Sequence, residues 1–236
     1  MCTKLEFKLI ELITQANDRW KLFKKGESYV IGISGGKDSI SCINLLQHFD
    51  INLVAVYVDL HNKHDKALEE YMSNITEYKH VTSNALSDYK NNKNICFSCS
   101  RQRRKLLLET ARDLGLNKII LGHHKDDVVE TLLLNQIYSR EFSTMQPKQS
   151  LFKGEYHLIR PMYLIKEQLL QYYVNQCKFP KFDLRCEYEF DSKRKYIKDL
   201  LKGIQENSPK IDVIDNIFSS MFDIKEGFLP QSIENK

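Results

Sequence analysis

Long hydrophobic runs are missing from this 236-residue sequence, and so are the features of a secreted protein. No stretch approaches the roughly 20 apolar residues that a membrane span needs. The first residues carry charges at Lys4, Glu6, Lys8 and Glu11, which is unlike a secretory signal peptide. Six cysteines in a chain of this size do not make a disulfide scaffold. We therefore expect a cytoplasmic protein with no membrane partner, in which paired cysteines indicate metal or redox chemistry.

An excess of charge of one sign is also missing. The chain has 35 lysines and arginines against 31 acids, a net charge of +4, which permits nucleic-acid binding without requiring it. With 42% hydrophobic residues it can bury a core, and its length predicts one domain over residues 1–236. Within it we expect an N-terminal helix over 5–24, a core over about 28–165, a helical C-terminal part over about 166–221 and a tail over 222–236.

Short apolar segments of strand type alternate with segments of helical type along the chain. The predicted strands are 30–33, 53–58, 79–82, 118–121 and 158–160. The predicted helices after the first are 39–46, 61–79, 106–114, 126–138, 166–177 and 193–205. Residues 83–95 and 139–155 are polar and are predicted to be loops. This alternation predicts an α/β fold with a doubly wound parallel sheet, in which ligands bind at the carboxyl ends of the strands.

The most informative segment is residues 30–40, which read VIGISGGKDSI. An apolar strand runs into Gly35 and Gly36, and an apolar pattern at helical spacing begins at Ser39. Such a turn points backbone N–H groups and the positive end of a helix dipole at one spot, which suits a phosphate. A plain strand-to-helix turn is the alternative, and the spacing is not that of a Walker A loop. The polar residues around the glycines suit phosphate or magnesium: Ser34, Lys37, Asp38 and Ser39.

Two further polar groups follow predicted strands. Asp59 ends an otherwise apolar strand, where it either caps the next segment or contacts a ligand. The strand at 118–121 is followed by the run GHHKDD at 122–127. Its acids, Asp126 and Asp127, either favour the helix dipole, hold a magnesium ion or act as a general base. Because the carboxyl ends of parallel strands share one edge, both groups are predicted to converge with the glycine loop.

Cys96 and Cys99 form a Cys-x-x-Cys pair in a polar stretch. Such a pair is half of a zinc site, a redox pair, part of an iron–sulfur site, or two unrelated cysteines. The later cysteines, Cys177 and Cys186, make no second clean pair, which argues against a four-cysteine zinc site. Cys42 lies among the apolar residues of a helix and is predicted to be core.

Basic residues are grouped in two places. The first group follows the cysteine pair and is predicted to begin a helix, where its charges oppose the helix dipole. It consists of Arg101, Arg103, Arg104 and Lys105. The second group lies on the C-terminal helix and consists of Lys193, Arg194, Lys195, Lys198 and Lys202. Binding of a polyanion such as RNA would account for both groups, and Tyr188 would be available for stacking on a base. The alternative is a solvated charged face.

The runs SGGKDS and GHHKDD resemble the two signatures of the PP-loop, or N-type ATP pyrophosphatase, family. The run Cys-x-x-Cys-Ser-x-x-Arg-Arg and the run IRPM at 159–162 narrow the resemblance to the tRNA 2-thiocytidine synthetases, over most of residues 5–221. The resemblance implies the adenine-nucleotide α-hydrolase fold and ATP cleaved between its α and β phosphates. It implies nucleotide contacts from Ser34, Gly35, Gly36, Lys37, Asp38, Ser39, Asp59, Gly122, His123 and Asp126.

The same resemblance implies catalytic roles for Asp38, Asp127 and Arg103, with Mg²⁺ beside the two acids. It also implies a 4Fe–4S cluster with three cysteine ligands and one open iron.

Cys96 and Cys99 match the family's cluster ligands directly. The family's second Cys-x-x-Cys is reduced here to Cys186, with Asp183 at the place of a partner cysteine. Cys186 is therefore the expected third ligand, and Cys177 is the alternative.

The function that the resemblance implies is ATP-dependent thiolation of a tRNA base, namely the C2 position of an anticodon-loop cytidine. The sulfur donor would be a cysteine desulfurase or free sulfide. One alternative is a sulfurtransferase for another nucleotide or a small molecule. Another is a zinc-bearing, nucleotide- and RNA-binding module without turnover. A lysidine synthetase is disfavoured, because that chemistry has no use for the cysteines. The sequence leaves a homodimer open.

Overall fold

The computed structural model describes residues 3–60, 64–83, 95–182, 184 and 193–228, and for residues 95–97 it describes the backbone alone. Eight α-helices lie in these ranges: α1 Lys4–Trp20, α2 Lys37–Leu46, α3 Lys66–Ser73, α4 Ile95–Asp113, α5 Lys125–Ser139, α6 Glu167–Cys177, α7 Lys193–Asn207 and α8 Val213–Ser220. The strands are β1 Ser28–Ile33, β2 Asn52–Asp59, β3 Glu77–Thr82, β4 Lys118–Ile120, β5 Lys148–Leu151 and β6 Tyr156–Ile159. Short 3₁₀ turns lie at Phe152–Gly154 and Glu226–Phe228.

The strands form one sheet in the order β3-β2-β1-β4-β6-β5. All neighbours pair in parallel except β5, which runs antiparallel to β6 at one edge. Strand β1 lies at the centre, with β2 on one side and β4 on the other. The predicted α/β fold with a mainly parallel sheet is confirmed.

Helices cover both faces of the sheet because successive residues of a strand point to opposite faces. Ile31 packs with α1, α2 and α6 on one face, whereas its neighbour Val30 packs with α4 on the other. A third apolar cluster joins α5, α7 and α8 through Val129, Ile197 and Phe218. The sheet is therefore doubly wound, as predicted.

The prediction of a loop over 139–155 is wrong in part, because β5 lies within that stretch. Strand β5 reads KQSL and has too little apolar character to indicate a strand by itself. It forms at the edge of the sheet, where one side stays exposed and polar residues are tolerated. Arg160, at the end of β6, helps to hold it, because its Nη1 donates to the Gln146 carbonyl at 2.5 Å and its Nη2 to Gln149 Oε1 at 3.4 Å.

Helix α4 begins at Ile95 rather than at 106, so Cys96 and Cys99 lie in its first turn. The basic residues from 101 to 105 consequently lie in the second and third turns. Their charges are therefore not at a helix start and do not oppose the helix dipole there. The helix dipole consequently gives no support to the prediction of a polyanion beside them. The sequence pattern did not indicate this start, because residues 100–105 are polar and interrupt the apolar helical spacing.

Other boundaries differ less. The helix predicted over 61–79 is α3, Lys66–Ser73, which Asp65 caps by accepting hydrogen bonds from Ala67 N and Leu68 N. Helix α1 ends at Trp20 because Lys21 adopts the left-handed conformation. Helix α8 was not predicted. Among the helices in the described ranges, none is long and apolar enough to span a membrane.

Candidate active site

The three predicted functional segments lie at adjacent strand ends. The glycine loop, Ser34–Gly36, follows β1, Asp59 ends β2, and the run at 122–127 follows β4. From β1 the chain continues to β2 and β3 on one side of the sheet and later to β4 and β6 on the other side. The carboxyl ends of β1 and β4 therefore flank the point at which the strand order reverses. Crevices at such reversals are the usual ligand sites of open parallel sheets.

Backbone contact joins the two loops. A Cβ atom added to Gly122 would lie 3.1 Å from the Asp38 carbonyl oxygen and 3.2 Å from Ser39 Cα. Only glycine permits this approach without moving the first turn of α2. Gly35 has a positive φ of 75°, and a Cβ there would lie 2.6 Å from Leu184 Cδ1. Glycine at these two positions therefore permits close packing around the start of α2, here called the glycine cradle, which Leu184 lines on one side.

Serine hydroxyls hold the glycine loop in shape. Ser39 Oγ accepts a hydrogen bond from Ser34 N at 3.2 Å and donates one to the Gly36 carbonyl at 2.9 Å. Ser34 Oγ accepts from Gly36 N at 3.3 Å. No side chain in the described ranges caps the start of α2. The N–H groups there, with the helix dipole behind them, suit an anion.

Lys37 lies between two carboxylates. Its Nζ is 2.8 Å from Asp38 Oδ1 and 2.9 Å from Glu167 Oε1, and Lys198 Nζ is 2.7 Å from Glu167 Oε2. Burial opposes ionisation of Glu167, but the hydrogen bonds from Lys198 and Lys37 outweigh it and lower its pKa to about 2. For Lys37, burial is outweighed by Asp38 and Glu167, which raise its pKa. Glu167 is a site residue that the sequence did not indicate.

The two acids of the GHHKDD run cap different helices. Asp127 Oδ2 accepts from His124 N at 3.0 Å and so caps α5, whereas Asp126 Oδ2 accepts from Glu167 N at 2.7 Å and caps α6. Burial raises the pKa of Asp126. At Asp127 burial is outweighed by His124, His123 and Arg194, which lower its pKa. Asp127 is thus the acid that the surroundings keep ionised, and Asp126 has a structural contact that the sequence did not foresee.

The two histidines link these acids to the glycine loop. His124 is buried, with its Nε2 3.5 Å from Asp127 Oδ2 and 3.8 Å from Asp38 Oδ1. Burial lowers the pKa of His123 to about 4. Its Nδ1 is buried and has no hydrogen-bond partner among the residues that the structure describes. A buried polar atom of this kind fits the predicted contact of His123 with a bound nucleotide.

Helix α5 carries a further acid that the sequence analysis missed. Glu130 is buried, and burial raises its pKa to about 7 against the opposing effect of Arg194. Arg194 Nε is 3.4 Å from Glu130 Oε2, and its Nη2 donates to Thr131 Oγ1 at 3.0 Å. The signal was available in the sequence, since Glu130 is a lone acid within the apolar run from Val128 to Leu132.

Asp59 contacts a histidine on the neighbouring strand. It is buried at the end of β2, and its Oδ2 lies 3.3 Å from His80 Nε2 on β3. The His80 ring stacks on Tyr57, and its Nδ1 is 3.2 Å from His64 Nδ1. A nucleotide contact of Asp59 stays a prediction.

The cysteines divide between the two faces of the sheet. Cys99 is half-buried and packs with the α4 cluster, whereas Cys177 packs with the opposite cluster beside α6. Cys42 is fully buried, as predicted. The Cys96 side chain and Cys186 lie outside the described residues. Cys177 also lies ten residues along α6 from Glu167, about 15 Å by helix rise, so the structure separates it from Cys99 and from the glycine loop.

The cations of α7 are largely engaged within the chain. Arg194 and Lys198 turn to the carboxylates of the site, Lys193 Nζ lies 4.5 Å from the Tyr138 ring centre, and Lys202 lies 3.8 Å from Glu206. On α4, Arg101 and Arg104 are exposed and Arg103 is half-buried, whereas Lys105 is exposed with its Nζ 3.8 Å from Glu109 Oε1. Arg103 shares a helix face with Cys96 and Cys99, since the three are spaced by three and four residues.

A parallel sheet whose central strand leads through a glycine cradle into an uncapped helix, with carboxylates beside it, defines a nucleotide-binding α/β protein. The chain belongs to the PP-loop family: the model of the PP-loop domain matches residues 1–199. Its relatives are tRNA-cytidine(32) 2-sulfurtransferases. One from Francisella philomiragia is 32% identical over 94% of this chain and 91% of its own length. One from Pectobacterium atrosepticum is 32% identical over 92% of this chain and 74% of its own.

Two solved structures have a similar fold. The U34-tRNA thiolase NcsA from Methanococcus maripaludis with its 4Fe–4S cluster has a TM-score of 0.74, with 21% identity, over 100% of this chain and 86% of that one. An NH3-dependent NAD synthetase from Campylobacter jejuni has a TM-score of 0.52, with 18% identity, over 98% of both chains.

The contact at Gly122 predicts that Gly122→Ala weakens ATP binding roughly tenfold, because the added methyl group displaces the first turn of α2. Calorimetric titration with ATP measures this. Gly227→Ala is the matched control, since a Cβ there meets no described atom within 4 Å. Equal ATP affinity in the two variants would show that the loop tolerates the displacement.

The raised pKa of Glu130 predicts a specific pH dependence of stability. Between pH 4.5 and about 7 the unfolded state has lost the Glu130 proton and the folded state retains it, so the free energy of unfolding falls as pH rises and levels off above 7. Glu130→Gln should remove a fall of about 3 kcal/mol. Urea unfolding at several pH values from 5 to 8 checks this, with Glu11→Gln on the exposed side of α1 as the control. Parallel pH profiles for wild type and Glu130→Gln would contradict it.

Proposed function

We propose that the protein uses ATP to adenylate a base of a tRNA and then replaces the activated oxygen with sulfur, with C2 of an anticodon-loop cytidine as the target. The observation that carries the proposal is the contact of the first turn of α2 with the GHHKDD run, which places the glycine cradle beside ionisable acids. The names of the relatives, tRNA-cytidine(32) 2-sulfurtransferases, support the substrate.

ATP binding follows from the cradle. The uncapped N–H groups of α2 and the Lys37 ammonium face the pyrophosphate half of ATP, while Ser34 and Ser39 keep the loop in shape. Asp38 and Asp127 are the acids that would hold Mg²⁺ between protein and phosphate, because Asp127 is kept ionised and both lie within 4 Å of His124. On ATP binding, the Lys37 ammonium would contact phosphate oxygens in place of part of its present contact with Glu167.

The adenylation step converts a poor leaving group into a good one. The C2 oxygen of the base attacks the α-phosphorus, the bond to the β-phosphate oxygen breaks, and pyrophosphate leaves. A hydrosulfide then adds at C2, the C2–O bond breaks, AMP leaves with that oxygen, and a proton is released. In the first step the Lys37 ammonium offsets the charge that develops on pyrophosphate, and Mg²⁺ held by Asp38 and Asp127 would add to this effect.

Three cysteines would hold a 4Fe–4S cluster with one iron not bound by cysteine, and such a group would bind the hydrosulfide that the sulfur donor provides. Cys96 and Cys99 are three residues apart in the first turn of α4, so the helix brings them to one face. The chain after α6 returns to the glycine loop, where Leu184 lies against Gly35, two residues before Cys186 in the sequence. Cys177 lies ten residues along α6 from Glu167, about 15 Å by helix rise, and so away from the glycine loop, which favours Cys186 as the third ligand.

The exposed cations of α4 are the proposed tRNA contacts. Arg101, Arg104 and Lys105 would bind phosphates, and Arg103 would act nearer the cysteine pair on the same helix face. The proposed partners are tRNA and a sulfur donor, either a cysteine desulfurase or free sulfide. A tRNA substrate also supports a cytoplasmic location.

Removing the charge of Asp38 tests the ATP step. We expect Asp38→Asn to reduce pyrophosphate release in the presence of tRNA by roughly 100-fold or more, because Mg²⁺ and phosphate lose a contact at the reacting end. Release is measured with a coupled pyrophosphate assay. The control is Asp113→Asn at the exposed end of α4, which should release pyrophosphate at the wild-type rate. Comparable rates in both variants would remove Asp38 from the catalytic residues.

Cysteine substitutions test the cluster. In anaerobically purified protein, Cys96→Ser, Cys99→Ser and Cys186→Ser should each lose iron, sulfide and the visible absorption, while ATP binding persists because none of the three cysteines is a proposed phosphate contact. Cys177→Ser is the matched control and should keep all three signals. Iron loss in Cys177→Ser but not in Cys186→Ser would reverse the third-ligand assignment. Zinc without sulfide in wild type, and no thiolated nucleoside by mass spectrometry, would favour a binding module without turnover.

A further inference from the structure

Two histidine rings meet beside β3, the strand at one edge of the sheet. His80 lies on β3, and His64 lies in the segment that leads from β2 into α3. Their Nδ1 atoms are 3.2 Å apart, and their ring centres are 4.9 Å apart with an angle of 59° between the ring planes. The two rings therefore direct the same kind of nitrogen at one point.

Each ring has a carboxylate at its other nitrogen. His80 Nε2 is 3.3 Å from Oδ2 of Asp59, the buried acid at the end of β2, and His64 Nε2 is 2.9 Å from Glu69 Oε2 on α3. An ionised carboxylate only accepts hydrogen bonds, so each contact favours the tautomer with its proton on Nε2. Both Nδ1 atoms then carry lone pairs. Carboxylates orient metal-binding histidines in this same way.

Two lone pairs that face each other at 3.2 Å repel, so this arrangement calls for a positive group between the rings. A shared proton or a metal ion would serve. Two nitrogens bound to a tetrahedral zinc ion at about 2.0–2.1 Å lie about 3.3–3.4 Å apart, which is close to the observed distance. A proton forms its covalent bond with one ring only, whereas a metal ion is bound by both lone pairs. The matching carboxylates behind the two rings therefore favour a metal ion.

We propose that His64 and His80 bind a zinc ion through their Nδ1 atoms, while Glu69 and Asp59 hold the protons on Nε2. Imidazole nitrogen is a ligand that suits zinc. Within the residues that the structure describes, no group of three or more metal-binding side chains converges, so water or a ligand oxygen would take the remaining positions. The His64 side chain is 44% exposed, which gives the ion access from solvent. With two protein ligands we expect a dissociation constant on the order of micromolar.

The ion would join the start of α3 to the edge of the sheet. His64 directly precedes Asp65, whose side chain caps α3, and His80 belongs to β3. A metal ion that binds the folded chain and not the unfolded one raises the stability of the fold. Zinc should therefore raise the melting temperature. The site includes no residue of the glycine cradle and no cysteine, so it does not depend on the proposed function.

Calorimetric titration of the anaerobically purified full chain with Zn²⁺ tests the proposal. His64→Gln and His80→Phe should each raise the zinc dissociation constant roughly 100-fold or more, because each removes one of two ligands. Phenylalanine at position 80 keeps a ring against Tyr57, so the packing of β3 is preserved. Glu69→Gln keeps both ligands and should weaken binding roughly tenfold. His48→Gln is the control, because the His48 ring contacts Glu6 instead, and it should bind zinc as the wild type does.

Titration with Co²⁺ separates this site from the cysteines. Nitrogen and oxygen ligands give weak visible bands without the thiolate charge-transfer band that cysteines produce, and His64→Gln should lose those weak bands. Zinc should raise the melting temperature of the wild type and of His48→Gln by a few degrees, and leave that of His64→Gln unchanged. Three outcomes would overturn the proposal: a wild type that binds zinc only through thiolates, zinc binding that survives in both His64→Gln and His80→Phe, or equal loss in His48→Gln.

Discussion

The close contact between the backbone at Gly122 and the first turn of α2 is the constraint on which the rest of the site depends. It exists because β4 lies directly beside β1, so the loops that leave these strands have to pass each other. A side chain at position 122 would separate them. With glycine there, the start of α2 lies close enough to the GHHKDD run for Asp38, His124 and Asp127 to form one group within 4 Å of the histidine. The proposed phosphate site and the acids therefore lie at the same edge of the sheet.

A chain of alternating charges then connects this edge to the C-terminal helices. Asp126 accepts a hydrogen bond from the first N–H of α6, which places Glu167 between Lys37 and Lys198. Arg194 makes a second bridge from α7 to Asp127 on α5. Except for Lys198, which is exposed, these groups are half-buried, so removal of one charge leaves its partner uncompensated. The C-terminal helices α6 and α7 are therefore part of the site's electrostatics.

Sequence patterns predicted much of this arrangement, and where they failed the reasons are physical. The strands with apolar β-branched runs, such as β1 and β2, were recognised because burial on both faces demands such residues. Strand β5 was missed because an edge strand needs little apolar surface. The start of α4 was missed because the polar run at 100–105 interrupts the apolar helical pattern between the cysteine pair and residue 106. Asp126 was assigned to a ligand, although its contact with α6 involves a residue 41 positions away in the chain.

The sequence by itself determined the local chemistry: a glycine turn with serine, lysine and aspartate between a strand and a helix, two acids at a second helix start, and a cysteine pair. Each of these motifs consists of a few consecutive residues, so its chemistry can be inferred from the sequence without knowledge of the fold. Only the tertiary structure decided which distant groups join them. Glu167, Glu130 and Arg194 enter the site, and Cys177 is placed on the opposite face from Cys99. Such choices depend on which strands are neighbours and which way each side chain points across the sheet, and no local spacing in the chain encodes either.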